Sequence, residues 1–105
     1  MRFEIVLAPE ASRAFQRLPA RVRGEVRDAL ERHLRFEPTK TSKSRIKRLR
    51  GLSQPQYHLR VNEIRVFYDV TETAVEILAI IEKQEAQAWL DQAGTPSAGG
   101  GPGQG

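Results

Sequence analysis

The sequence predicts a single α+β domain: an N-terminal strand, an antiparallel helical hairpin, a three-stranded antiparallel meander and a short C-terminal helix. Residues 57–70 and 75–81 have the composition of β-strands, and the first stretch alternates apolar and polar side chains. Residues 11–34 instead repeat apolar side chains at spacings of three and four, as amphipathic helices do. A chain of 105 residues has room for one modest core, so we place one domain at residues 1–93.

The N-terminal third predicts one strand and two helices. Alternate apolar residues from Phe3 to Leu7 form a strand that Pro9 ends. Pro19 interrupts the apolar stripe of the first helix and suits the first turn of the second, where its missing N–H is no loss. His33 lies near the end of the second helix, and we interpret it as a capping residue favoured by the helix dipole.

The centre of the chain predicts a β-hairpin with a two-residue turn at Asn62 and Glu63. Asparagine tolerates the positive φ that such turns require, so counting back from the turn fixes the register of the two strands. Because side chains alternate across a strand, one face is expected to be apolar and buried: Tyr57, Leu59, Val61, Ile64, Val66 and Tyr68.

The same register brings charged residues together on the opposite face. It places Arg60 directly across from Arg65, and His58 across from Phe67. Like charges that face each other destabilise a strand pair, so the two arginines require wide exposure or an anion between them. Two guanidinium groups beside an imidazole suit a phosphodiester, and we therefore expect the functional site on this face.

Residues 75–81 are apolar on both sides, as expected for an interior strand that is covered on both faces. Starting from Val70 opposite Val75, regular pairing places Leu78 and Ile80 on the same face as the two arginines. A third helix at about residues 83–92 would cover part of this apolar surface with Trp89, whose ring either packs there or stacks on a base. Regular pairing predicts three further contacts: Tyr68 with Ile77, Val66 with Ala79, and Ile64 with Ile81.

Positive charge is concentrated in the middle of the chain. Residues 37–62 hold seven basic residues and one acid, whereas residues 63–105 hold two basic residues and seven acids. Such an asymmetry indicates a surface that meets a polyanion, most commonly nucleic acid; a solvated basic loop is the alternative. Six of the seventeen basic residues lie within positions 39–51, among hydroxyl groups that also donate to phosphates: Lys40, Lys43, Arg45, Lys47, Arg48 and Arg50.

Composition argues against several classes of protein. With no cysteine and two histidines, neither a disulfide framework nor a zinc site is expected, and we predict no metal and no cofactor. No apolar signal segment opens the chain, and no run reaches the roughly 18 apolar residues of a membrane span, so a cytoplasmic protein is expected. Residues 94–105, rich in Gly, Pro and Ser, are predicted to form a disordered tail.

Over roughly residues 2–92, the order of the predicted elements resembles the RelE/ParE toxin superfamily of bacterial toxin–antitoxin systems. The resemblance is most specific in KRLRG at 47–51, YHLRV at 57–61, IRVFYDV at 64–70 and IIEK at 80–83. It implies a RelE-like fold and a metal-independent endoribonuclease that cuts messenger RNA in the ribosomal A site. By position, His58 would be the general base, Arg60 and Arg65 would hold the scissile phosphate, and Lys83 would be an acid or a further phosphate ligand.

The sequence departs from the RelE pattern in its final segment. There RelE carries an arginine and a tyrosine that complete its active site, and the matching positions here are near Gln84 and Leu90. The site is therefore incomplete by that pattern. Two alternatives to RNA cleavage stay open: ParE-like inhibition of DNA gyrase, and a nucleic-acid-binding module without catalysis.

The resemblance also implies two partners, a cognate antitoxin protein and messenger RNA on the ribosome, and no membrane. An acidic amphipathic segment of the antitoxin would cover the apolar patch beside the basic groove. The residues predicted to contact it are Phe67, Leu78, Ile80 and Trp89.

Overall fold

The computed structural model describes residues 1–97, so residues 98–105 of the predicted tail lie outside the described range. None of the helices within residues 1–97 is long and apolar enough to cross a membrane. The helices are α1 (Pro9–Arg17), α2 (Ala20–Ala29), which a π-helical turn (Leu30–Leu34) continues, and α3 (Ala86–Ala93), which follows a 3₁₀ turn (Lys83–Glu85). The strands are β1 (Glu4–Leu7), β2 (Ile46–Arg48), β3 (Leu52–Gln54), β4 (Tyr57–Val61), β5 (Ile64–Val70), β6 (Ala74–Glu82) and β7 (Thr95–Pro96).

Five of the strands form one mixed sheet in the order β1-β6-β5-β4-β2. β1 runs parallel to β6, and the other neighbours are antiparallel. The predicted α+β class is confirmed, and β4, β5 and β6 are the predicted meander. The basic segment at residues 39–51, which we call the basic connector, contains an edge strand that the sequence did not predict. This strand, β2, pairs with β4 through Lys47 opposite His58.

The central hairpin has the predicted register. Asn62 adopts a φ of 54° in the turn, Arg60 pairs with Arg65, and His58 pairs with Phe67. The apolar face packs against the helices, whose Ala11, Val26, Leu30 and Leu34 belong to the same core, and it contributes to that core Leu59, Val61, Ile64, Val66 and Tyr68.

The predicted register between β5 and β6 is correct for only part of its length. Tyr68 pairs with Ile77 as predicted, but a bulge follows, and Phe67 then pairs with Ala79 while Leu78 is the extra residue. As a result Val66 pairs with Ile80, Arg65 pairs with Ile81, and Ile64 pairs with Glu82. The prediction that Ile80 shares a face with Arg65 is therefore wrong, because Ile80 is 5% exposed and belongs to the core.

α3 covers the other face of the sheet over Phe67. The Phe67 ring is 0% exposed and stacks on Trp89, with 4.8 Å between ring centroids. The sequence left two roles open for Trp89, packing on the sheet or stacking on a base, and in the structure its ring packs on the sheet. The described chain continues past the predicted boundary at residue 93, since Thr95 pairs with Gln54 and the amide of Ser97 donates to Gly51 O at 2.9 Å.

One buried hydrogen bond fixes the start of the basic connector. The hydroxyl of Tyr68, which is fully buried, donates to the carbonyl oxygen of Pro38 at 2.6 Å. Residue 38 lies four positions after the end of the π-helical turn that continues α2, so this bond joins the middle of the sheet to the segment that leads into β2.

Replacing Tyr68 with phenylalanine is expected to lower the free energy of unfolding by about 1–3 kcal/mol, because the Pro38 carbonyl would stay buried without a donor. Urea denaturation of the variant measures the change. Tyr57→Phe is the matched control, since the Tyr57 hydroxyl makes no hydrogen bond within residues 1–97 and its loss should change stability by less than about 0.5 kcal/mol. Equal losses in both variants would contradict the assigned role.

Candidate anion-binding site

Basic side chains from four segments converge in one cleft of about 390 Å³, which we call the arginine cleft. It is lined by Ser44, Arg45, Arg60, Asn62, Arg65 and Lys83. The strand pairing positions them: Arg60 and Arg65 face each other across β4 and β5, and the amide of Arg60 donates to Arg45 O at 2.9 Å. Lys83 follows β6 and is held by its amide, which donates to Glu63 O at 2.7 Å.

Arg65 is a buried cation with little compensating charge. The residue is 7% exposed, and its Nη1 donates to the carbonyl oxygens of Asn62 at 2.8 Å and Ile64 at 3.0 Å. Burial, followed by the charge of Arg60, lowers the pKa of Arg65, and Glu63 opposes this only in part. No cation of the arginine cleft forms an ion pair within residues 1–97. An anion in the cleft would offset the cost of such a charge.

His58 lies one row further along the sheet and does not line the arginine cleft. Its ring packs edge-on against Phe67 at 5.8 Å between centroids, and its Nε2 is buried without a hydrogen-bond partner within residues 1–97. Burial, then the charges of Arg65, Arg60 and Lys47, lower the pKa of His58 to about 4. The imidazole is therefore neutral at pH 7.

Acidification is expected to destabilise the fold through His58. The unfolded imidazole, with a pKa near 6.5, binds a proton more tightly than the folded one, with a pKa of about 4. The contribution of neutral His58 to the free energy of unfolding is thus fully present above pH 6.5 and is lost as the pH falls toward 4. Urea unfolding of the wild type and of His58→Gln at several pH values measures the effect.

The variant should lose less stability than the wild type between pH 6.5 and 4. Some dependence will remain, because burial and the charges of Arg45 and Arg32 also lower the pKa of His33. Identical pH dependence in the two proteins would show that His58 is not the responsible group.

Of the six basic residues predicted for the segment 39–51, only Arg45 lines the arginine cleft. Lys47 lies opposite His58 on β2. Arg48 instead lies 5.1 Å over the Tyr57 ring and donates to a backbone carbonyl. Lys40 lies 3.8 Å from Glu37, and nothing in residues 1–97 brings exposed Lys43 or Arg50 to the arginine cleft.

Two residues that line the arginine cleft, Ser44 and Asn62, were not among the predicted site residues. Both lie in turns beside cations, and their polar side chains were the only available signal. Gln84 and Leu90, the positions where the RelE pattern is not met, are not among the residues that line the arginine cleft, and the Gln84 amide donates to Glu82 at 3.3 Å. That the site is incomplete by the RelE pattern stays a prediction.

Comparisons with known proteins give matches at the level of structure. No family model matches the chain, and no curated protein matches it. The RelE chain of the archaeal RelE–RelB complex from Pyrococcus horikoshii OT3 is 25% identical, with a TM-score of 0.60 over 79% of this chain and 97% of that one. A chain of the RelBE2 toxin–antitoxin complex of Mycobacterium tuberculosis is 23% identical, with a TM-score of 0.61 over 78% of this chain and 99% of that one. The YoeB/ParE toxin from Agrobacterium tumefaciens is 17% identical, with a TM-score of 0.58 over 76% of this chain and 98% of that one.

These likenesses define a class of small α+β proteins with helices packed on a short mixed sheet. Here the opposite face of that sheet carries the arginine cleft. The chain therefore has a RelE-like fold, which it shares with these toxin structures.

Proposed function

We propose that the chain is the toxin of a toxin–antitoxin pair and inhibits translation by cleaving messenger RNA on the ribosome. The observation that carries this proposal is the convergence of Arg60, Arg65 and Lys83 in one cleft, without an ion pair within residues 1–97. Fixed cations in a partly buried cleft favour a phosphodiester. They also stabilise the charge that develops on the phosphate during attack.

In this proposal the RNA itself supplies the nucleophile. The ribose 2′-oxygen forms a bond to the neighbouring phosphorus, and the bond from phosphorus to the 5′-oxygen breaks. Arg60 and Arg65 would hold the non-bridging oxygens, because their guanidinium groups stay charged and donate in a planar fork. Lys83, exposed at the same cleft, would give a proton to the leaving 5′-oxygen.

The proton of the 2′-hydroxyl needs an acceptor, and His58 is the candidate. A phosphate bound beside Arg60 and Arg65 would offset two of the charges that hold the pKa of His58 down. Substrate binding would thus raise the basicity of the imidazole toward neutral pH, where general-base catalysis is most effective.

A cognate antitoxin is the second partner in the proposal. Both the Pyrococcus horikoshii and the Mycobacterium tuberculosis structures are complexes of a toxin with an antitoxin. Among the four residues predicted for this contact, Leu78 and Trp89 are partly exposed and line a cleft of about 420 Å³. Phe67 and Ile80 are buried in this chain, and an antitoxin would reach Phe67 only if α3 moved.

A second candidate function is binding of RNA without cleavage. The orientation of His58 favours it, since the Nε2 atom is buried and the ring lies outside the cleft-lining set. In that case the arginine cleft would retain RNA on the ribosome and block translation by occupancy alone.

A translation extract programmed with a defined message distinguishes these functions. We expect the purified protein to produce new 5′-ends, mapped by primer extension, only where ribosomes occupy the message. Inhibition of translation with an intact message would support binding without cleavage. Unaffected translation together with loss of supercoiling by DNA gyrase would contradict the proposal and support ParE-like inhibition.

A further inference from the structure

A second basic cleft, of about 330 Å³, lies beside the arginine cleft. We call it the histidine cleft, and its basic residues are Arg32, His33, Lys40 and Arg45. They come from the π-helical turn that continues α2, from the connector, and from the residue before β2. The connector also brings the hydroxyl groups of Thr41 and Ser42 to the walls, so the cleft offers both charges and neutral donors.

The two clefts adjoin each other. Ser44 and Arg45 line both of them. A smaller depression connects them, because it is lined by Arg32 and His33 of one cleft and by Arg45 and Asn62 of the other. The α2 side of this depression carries the carboxylates of Glu25 and Asp28, so an anionic chain would pass along the Arg45 side.

His33 faces the histidine cleft from the π-helical turn. Within the turn, Leu30 and Leu34 are buried in the core, and His33 between them is half-buried at the wall of the cleft. The imidazole makes no hydrogen bond within residues 1–97, and its pKa is lowered first by burial and then by Arg45 and Arg32. Short π-helical turns inside α-helices occur frequently at functional sites.

The charge of the histidine cleft is mostly unpaired. Glu37 is the carboxylate among its lining residues and lies 3.8 Å from Lys40. Arg32 and Arg45 form no ion pair within residues 1–97. The balance of charge therefore favours an anion, and the adjoining arginine cleft limits what that anion is.

We propose that the histidine cleft binds a further phosphate group of the same RNA strand whose scissile phosphate lies in the arginine cleft. This inference rests on the proposed function, since it requires RNA in the arginine cleft. Arginine, lysine and hydroxyl groups contact the sugar-phosphate backbone without reading bases. A basic groove of this kind tracks a single strand independently of its sequence, and Arg45 is the residue that the two phosphates share.

The test compares short and long RNA that cannot be cleaved. A 2′-O-methyl dinucleotide has one phosphodiester and reaches only the arginine cleft, whereas an octanucleotide extends into the histidine cleft. The double variant Arg32→Gln/Lys40→Gln should bind the octanucleotide on the order of tenfold more weakly and reduce its salt slope by about 0.7 per lost phosphate contact. Its affinity for the dinucleotide should stay unchanged.

Two control variants separate this inference from the proposed function. Arg65→Gln should weaken both oligonucleotides, and Arg17→Gln, which removes an exposed charge outside the described clefts, should weaken neither. If Arg65→Gln weakens both while the double variant matches Arg17→Gln, the histidine cleft is not an RNA site and the proposed function stands. If the wild type binds neither oligonucleotide, the inference about the histidine cleft is overturned, and cleavage in the translation extract decides the proposed function separately.

The two histidines of the chain provide a second readout that does not depend on affinity. The imidazole NMR signal of His58 should shift with either oligonucleotide, and that of His33 only with the octanucleotide. Equal shifts of His33 with inorganic phosphate alone and with the octanucleotide would overturn the RNA assignment and indicate a site for free phosphate. Unchanged His33 signals with the octanucleotide would also overturn it.

Discussion

Replacing Arg65 with glutamine is expected to lower the rate of messenger RNA cleavage about 10²–10³-fold, the usual effect of removing one preorganised donor from a developing charge. Arg65 is the most buried cation of the arginine cleft, at 7% exposure, and its Nη1 is fixed by two backbone carbonyls. A guanidinium held in this way is oriented before the substrate arrives, so its loss affects the transition state more than the ground state. Single-turnover cleavage of ribosome-bound message measures the rate.

Two further variants test whether the effect is chemical. Arg65→Lys keeps the positive charge but loses the planar fork, so its rate should lie between those of the wild type and Arg65→Gln. Arg60→Gln removes the cation opposite and should also slow cleavage, which keeps the test decisive if Arg65→Gln fails to fold. A folded Arg65→Gln protein that cleaves within about threefold of the wild-type rate would contradict the assigned role, since that change is well under the range expected for a preorganised donor.

Replacing Phe67 with alanine is expected to lower the free energy of unfolding by about 3–5 kcal/mol, as other buried phenylalanines do. The Phe67 ring is 0% exposed and packs between His58 and Trp89, with centroid distances of 5.8 and 4.8 Å. Its removal would leave a cavity under α3 and remove the main apolar contact of that helix with the sheet. Equilibrium urea denaturation measures the loss.

Phe36 provides the matched control, because it is the same residue type at 59% exposure. Phe36→Ala should change stability by less than about 0.5 kcal/mol. If Phe67→Ala costs less than about 1 kcal/mol, which is far below the range for a buried phenylalanine, α3 does not cover this face in solution. Phe67 would then be available to an antitoxin, as the sequence had led us to expect.

The reliable predictions from sequence were those with a local physical cause. Asn62 permits the tight turn of the hairpin, and the turn then fixes the pairing of Arg60 with Arg65. β6 is different because residues 77–81 are all apolar, so a shifted register there buries no polar side chain and the pattern does not select one register. The bulge at Leu78 depends on this freedom, and it moves Ile80 from the predicted outer face into the core.

The candidate site was predictable only where a local turn fixes the positions of its residues. The hairpin register places Arg60 and Arg65 together. The position of Arg45 in the arginine cleft depends instead on β2, a three-residue edge strand. Its basic composition is typical of edge strands as well as of loops, so the sequence did not distinguish them. The low pKa of His58 was not predictable, since it results first from burial, with the ring packed against Phe67, and then from charges that include Arg65 and Lys47 on the neighbouring strands. These are tertiary effects, which spacing along the chain does not record.

The parallel pairing of β1 with β6 has a consequence for synthesis of the protein. Leu7 pairs with Ile77, and Glu4 pairs with Ala74, so the first strand has no neighbour in the sheet until most of the chain has left the ribosome. Contacts of such wide sequence separation also slow folding. A nascent chain interrupted before residue 74 would lack both the partner of its first strand and Lys83, so an unfinished translation product would carry only fragments of the arginine cleft.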